Sequence, residues 1–219
     1  MISAFRDNSM TDMSGLRERM EYQISKNRLE TMVDGIFAIA MTILVLGISP
    51  PKPDISLAHS VLPGQIFNLM PEIFIFIISF LIIAGFWLDH HRQFHFVHTV
   101  DSRLLWINFL LLISVVLVPF STDVAGDYPD VQIAVLFFHI NILIVGLIFV
   151  FHLKYISQSK HLIDAQADMK SMQQLFHQSL LTPCIAFIAA IISFVNPSGS
   201  LLVYLIVPFA RYFVDRFGF

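Results

Sequence analysis

Four histidines crowd the stretch Asp89-His90-His91-Arg92-Gln93-Phe94-His95-Phe96-Val97-His98. On a helix His91 and His95 stand at i and i+4, close enough to share one metal ion, with His98 a turn beyond. A metal-dependent membrane enzyme would need further such groups on other helices, and His139, His152, His161 and His177 are single residues. A hydrogen-bonding role across a helix interface is the more economical reading, so no resident metal or cofactor is expected. The second chemically capable pair is Arg28 and Asp34, at the threshold of an uncharged apolar run from Gly35 to Ile48. Six residues apart on a helix places them about 240° from one another, so they do not face each other. Each needs a partner from elsewhere, and the residues after the second apolar segment are the obvious suppliers. The chain has no nucleophile elbow, P-loop or HExxH motif, and no TVGYG potassium filter.

These residues sit in a chain built for a bilayer. Of 219 residues, 56% are hydrophobic and 13% charged, with a mean hydropathy of +0.74. A soluble domain carries about 25% charged residues. The net charge of −3 is too small to argue for nucleic acid as a partner. Cys184 is alone, which excludes internal disulfides and a thiolate metal site. The first 27 residues are polar and mixed in charge, without the apolar core of a cleaved signal peptide. They read as a cytoplasmic lead-in, with Leu16, Met20 and Ile24 along one face of a short helix.

Six apolar segments follow, giving an all-α membrane protein with one six-helix domain over residues 28–219. The first, Arg28 to Ile48, ends where Pro50, Pro51 and Pro53 forbid further helix. The second starts at Pro71-Glu72, the third spans Leu104 to Phe120, and the fourth Val131 to Phe151. The fifth covers Leu180 to Val195, and the sixth Leu201 to Phe213, with a kink expected at Pro208. Met169, Met172, Leu175 and Phe176 fit a helical face, so helices four and five should extend beyond the membrane. With both termini in the cytoplasm, twelve of the 13 Lys and Arg residues fall inside and only Lys52 outside, a strong positive-inside signal.

At 100° per residue Gly35, Ile39, Thr42, Ile43 and Leu46 share one stripe of the first helix. Around a pore, rings of Ile and Leu would form a dewetting constriction, and a Thr ring the single polar layer. The same helix is apolar all round, so any face would look apolar, and Thr42 can equally bond its own preceding turn. Asn108, His139 and Asn141 are further polar groups within apolar segments, of the kind that join helices.

The string Arg28-x-x-x-Met32-Val33-Asp34-Gly35, followed by Ile-Phe-Ala-Ile-Ala-Met-Thr, resembles the first-helix signature of the transmembrane protein 175 (lysosomal potassium channel) family, whose hallmark is Arg-x-x-x-Phe-Ser-Asp. Phe86-Trp87-Leu88-Asp89-His90-His91-Arg92-Gln93-Phe94 and Leu104-Leu105-Trp106-Ile107-Asn108 through Val118-Pro119-Phe120 match in the same order. The resemblance implies one six-helix unit per chain, a homotetramer with the first helix around the axis, and weakly selective conduction of K⁺ and other monovalent cations across the inner membrane. It implies a constriction at Ile39, with Ile43 and Leu46 as further layers and Thr42 as the polar layer. Arg28 and Asp34 would join a hydrogen-bond network with the His91 and Asn108 region that braces helix one. The sequence departs from the hallmark at Met32 for Phe and Val33 for Ser, which removes one hydroxyl from that network. Two rival readings stand beside this one: a metal enzyme on His90, His91, His95 and His98, and a proton-coupled secondary transporter using Asp34 or His139.

Overall fold

A computed structural model describes residues 25–163 and 168–217. The lead-in through position 24, with its expected Leu16, Met20 and Ile24 face, lies outside the described residues.

Helix α1, Lys26–Ile43, continues into a 3₁₀ turn at Leu44–Gly47 and stops at the proline cluster. Eighteen residues at about 1.5 Å and four at about 2.0 Å span about 35 Å, enough for a hydrocarbon core of about 30 Å. A 3₁₀ turn at Ile55–Leu57 then leads into α2, Ala58–Asn68, which accommodates Pro63. This short helix was not anticipated. It buries no side chain, so no apolar stripe announces it.

The remaining long helices are α3 (Met70–His95), α4 (Ser102–Asp127), α5 (Gln132–Gln158) and α6 (Met169–Ile192). Their starts carry legible signals. Pro71 and Glu72 occupy the first turn of α3, where a missing N–H costs nothing and an acid meets the positive helix end. Asp101 caps α4 by accepting from the Leu104 N–H at 2.7 Å, and Asp168 caps α6 from the Lys170 N–H. Helices α5 and α6 run beyond the apolar stretches read as their cores, as the Met169–Phe176 face suggested.

Among the described residues five helices are long and apolar enough to cross a membrane: α1 with its 3₁₀ turn, α3, α4, α5 and α6. The sixth expected segment is broken. It comprises α7 (Pro197–Ser200), a five-residue 3₁₀ stretch at Leu201–Leu205, and α8 (Ile206–Phe217). The interruption precedes Pro208, which sits in the first turn of α8, where a proline removes no intrahelical bond. The tighter 3₁₀ winding lies just upstream of Pro208.

In lipid, apolar side chains gain little from leaving one hydrocarbon for another, so helices associate through close packing and polar pairs. Both occur here. Gly146 of α5 lets Pro183 of α6 approach so closely that a methyl group at Gly146 would meet the proline Cδ at 2.8 Å. Phe86 of α3 stacks flat on Phe149 of α5 with centroids 5.1 Å apart. Helix α1 packs on α3 and α4 through Leu29, Val33, Phe37, Ala40 and Leu44, all buried at spacings of three and four.

Candidate functional site

Because α1 buries only that one stripe, its other side is left uncovered. Ile39, Ile43 and Leu46 are 58%, 45% and 76% exposed, Thr42 is exposed, and nothing lies within 4 Å of a Cβ built on Gly35. Of the five spanning helices, α1 is the least covered by its own protomer. The stripe read from the sequence is therefore a face that the described residues leave uncovered.

Thr42 Oγ donates to the Ile39 carbonyl at 2.9 Å. The bond joins the preceding turn, one residue nearer than the i−4 bond usual for Ser and Thr. With its proton directed along the helix, the hydroxyl oxygen still offers lone pairs outward.

The charged threshold is braced from α3. Trp87 Nε1 donates to Asp34 Oδ1 at 2.8 Å, and His91 stacks on the Trp87 indole with centroids 6.1 Å apart. Arg28 is exposed, and among the described residues no side chain bonds it. The two departures from the family hallmark fall on different sides of α1. Val33 is fully buried in the packing stripe, and Met32 is 36% exposed.

Asn108 is bonded by His90 rather than by the adjacent His91. One residue is a 100° turn, which carries His90 into the core and His91 to the outside. His90 Nε2 donates to Asn108 Oδ1 at 2.9 Å, since an amide oxygen only accepts. Asn108 Nδ2 donates to the Leu104 carbonyl and to His152 Nε2 at 3.1 Å. His152 then donates from Nδ1 to Gln93 Oε1 at 2.6 Å. Gln93 Nε2 reaches the Phe149 carbonyl and Ser179 Oγ, so the chain of bonds links α3, α4, α5 and α6. Every amide and imidazole atom named in this chain has a partner, as polar groups in hydrocarbon require.

The histidines do not converge on a metal. His90 belongs to the network, His91 rests on Trp87, and among the described residues no three His, Cys, Asp or Glu side chains are placed to hold an ion. His139 lies between Tyr204 Oη at 3.0 Å and Ser200 Oγ at 2.8 Å, and Asn141 donates to Ser121 Oγ, so both join helices.

One ion pair escaped the sequence reading. Arg211 of α8 holds Asp89 of α3 in a fork, Nη1 to Oδ1 at 2.9 Å and Nη2 to Oδ2 at 2.7 Å, with further bonds to the Gly85 carbonyl and Thr182 Oγ. An acid beside two histidines and an arginine in the last apolar segment were the available signals, but 122 residues separate them. At the opposite end of α1, Gly47 lies against Asp123, and Glu72 and Asp127 line the same narrow recess.

Comparison with known proteins places this architecture. The family model "Endosomal/lysosomal potassium channel TMEM175" matches residues 28–119, the region of all three motifs. A potassium channel of Chamaesiphon minutus is 30% identical over 177 residues, covering 80% of this chain and 87% of that protein. The endosomal/lysosomal proton channel TMEM175 of Gallus gallus is 26% identical over 193 residues, 84% of this chain but 38% of that longer protein. In structure, a lysosomal potassium-selective channel TMEM175 homolog from Chamaesiphon minutus superposes with a TM-score of 0.72 at 29% identity, covering 87% of this chain and 97% of that one. These relatives are named channels, and this chain, a multi-pass membrane protein of the same fold, belongs to the TMEM175 family.

Proposed function

We propose that this protein is a potassium-permeable, weakly selective cation channel of the cell (inner) membrane, a homotetramer with α1 of each subunit around the axis. Each chain contributes six membrane segments, the broken α7–α8 rod being the sixth, with both termini in the cytoplasm. The observation that carries the reading is the uncovered face of α1, where Ile39, Thr42, Ile43 and Leu46 stand exposed while the opposite stripe is sealed into the subunit. Four copies brought together on that face would enclose an aliphatic constriction at Ile39, with Ile43 and Leu46 as further layers. Such a ring gates by excluding water. The outward lone pairs of Thr42 would supply one coordinating layer. Glu72, Asp123 and Asp127 beside Gly47 would raise the local cation concentration at one end of α1. The Trp87–Asp34 bond, with His91 on its outer side and the Asn108 network behind α3, would hold the helix in place, and Arg28 would join this bracing at the assembled axis.

The test is flux from proteoliposomes holding the purified protein, with potassium, sodium, protons and N-methyl-glucamine compared. A channel gives potassium flux well above the organic cation and resolvable unitary currents, and Ile39→Asn raises both by hydrating the constriction. Saturable, proton-coupled flux would support a transporter instead. Flux that Ile39→Asn leaves unchanged would overturn the gate.

A further inference from the structure

Two cavities meet at Arg92, one polar and one apolar. The polar cavity, of about 350 Å³, lies at the end of the bundle where α3 finishes and α6 begins, lined by His91, Arg92, His95, Ser171, Gln174 and Gln178 among others. The apolar cavity, of about 270 Å³, continues along α3 toward the bundle centre, where Leu81, Ala84 and Leu88 face Leu205 and Pro208. Arg92 lines both. Gln178 lines the first and Thr182 the second, four residues apart on α6, so the two cavities follow one seam between α3 and α6.

The chemistry changes along that seam as it does along an amphiphile. Among the described residues no carboxylate lines the polar cavity, and its polar groups are a guanidinium, two imidazoles, two amides and a hydroxyl. Arg92 donates to the neutral Gln178 Oε1 at 3.1 Å, so its charge is not cancelled by that partner. The Ser171 hydroxyl donates to Asp168, the cap of α6, at 2.7 Å. In the apolar cavity Arg211 also contributes, and its buried Nε–H has no acceptor although its two terminal nitrogens hold Asp89. An ester carbonyl would satisfy that donor.

We propose that this seam binds an anionic phospholipid, its phosphate held by Arg92, His95 and the Gln174 amide, its ester beside Arg211, and one acyl chain in the apolar cavity. The position suits it. The polar cavity lies at the last turn of α3, on the Lys- and Arg-rich side of the bundle, where headgroups lie, and the apolar one lies at acyl-chain depth. Neither cavity includes a residue of α1, and the lipid site shares only His91 with the bracing of Asp34.

Native mass spectrometry of the purified protein after exchange into lipid–detergent micelles tests this, comparing phosphatidylglycerol with phosphatidylcholine. The wild type should retain phosphatidylglycerol about fivefold more, the effect of one cationic side chain on an anionic lipid. Arg92→Gln should bring the two lipids to parity, and Arg92→Lys should keep the preference. Leu81→Trp, which fills the apolar cavity from an exposed position, should lower retention of both. Equal retention by the wild type, or a preference that Arg92→Gln leaves intact, overturns the proposal. Retention untouched by Leu81→Trp, with excess inorganic phosphate stabilising the wild type but not Arg92→Gln, would mean a free phosphate site and would overturn it as well.

Discussion

Trp87 reaches across from α3 to give its indole proton to Asp34, 53 residues earlier in the chain, and so ties the start of α1 to the helix behind it. Asp34 is exposed, and this is the one side-chain bond to its carboxylate among the described residues. Trp87→Phe keeps the ring but removes the donor. The expected result is a loss of about 1 kcal/mol, the usual net worth of such a bond, read as a lower thermal midpoint. Cation flux should change with it, because the face of α1 bearing Ile39 loses its anchor. A variant with unaltered midpoint and flux would show that the bond does not brace the helix.

The fork between Arg211 and Asp89 is largely withdrawn from solvent, with side chains 17% and 4% exposed. Removing one partner deprives the other of its bidentate counter-charge, and Asp89→Leu or Arg211→Met alone should cost about 3–5 kcal/mol. The double variant should recover most of that loss, since two apolar groups replace the pair without stranding either. Unfolding of all three variants in detergent would measure the coupling. Additive losses would argue that the pair is not the interaction that holds α8 to α3.

Gly146 is a matter of clearance. A methyl group there would sit 2.8 Å from Pro183 Cδ and 3.1 Å from its backbone nitrogen, and neither can move without shifting α6. Gly146→Ala should therefore destabilise by about 1–3 kcal/mol through overpacking, whereas Gly35→Ala, with open space around it, should be nearly silent in a single subunit. Thermal unfolding of the two variants side by side decides it.

Acid sensitivity should arise at Asp101. Burial pushes its carboxyl up, but the Tyr155 hydroxyl, the Leu104 N–H and the His161 ring together outweigh that and hold it below the ordinary aspartate value. A carboxyl depressed in the folded state contributes stability above the unfolded value and loses it as pH falls through the lower folded one. Tyr155→Phe should reduce stability near neutrality and narrow its gap from the wild type below about pH 4. Parallel stability curves over that range would remove Asp101 from the account.

What the sequence made legible were features with a short repeat. The stripe of Gly35, Ile39, Thr42, Ile43 and Leu46 follows from 3.6-residue periodicity, and the proline cluster marked the end of α1, but in a helix apolar all round only packing shows that Leu29, Val33, Phe37, Ala40 and Leu44 form the buried face. Polar contacts between distant helices were not legible. The choice between His90 and His91 as partner of Asn108 depends on one residue of helical phase, which composition does not reveal. The pairing of Asp89 with Arg211 depends on where a broken sixth segment returns to the bundle. Nor did a single proline in the sequence indicate that the break would fall upstream of it.

The 3₁₀ turn that ends α1 has one more effect, on direction. Three residues per turn in place of 3.6 advance each side chain about 20° further around the axis. By Leu46 that offset adds about 60°, which moves the side chain from about 20° behind Ile39, its place in a uniform α-helix, to about 40° ahead of it, the direction of Ile43. Leu46 thus stacks over Ile43 along the helix, and bulk added at Leu46 presses on the sector of Ile43 rather than on that of Ile39.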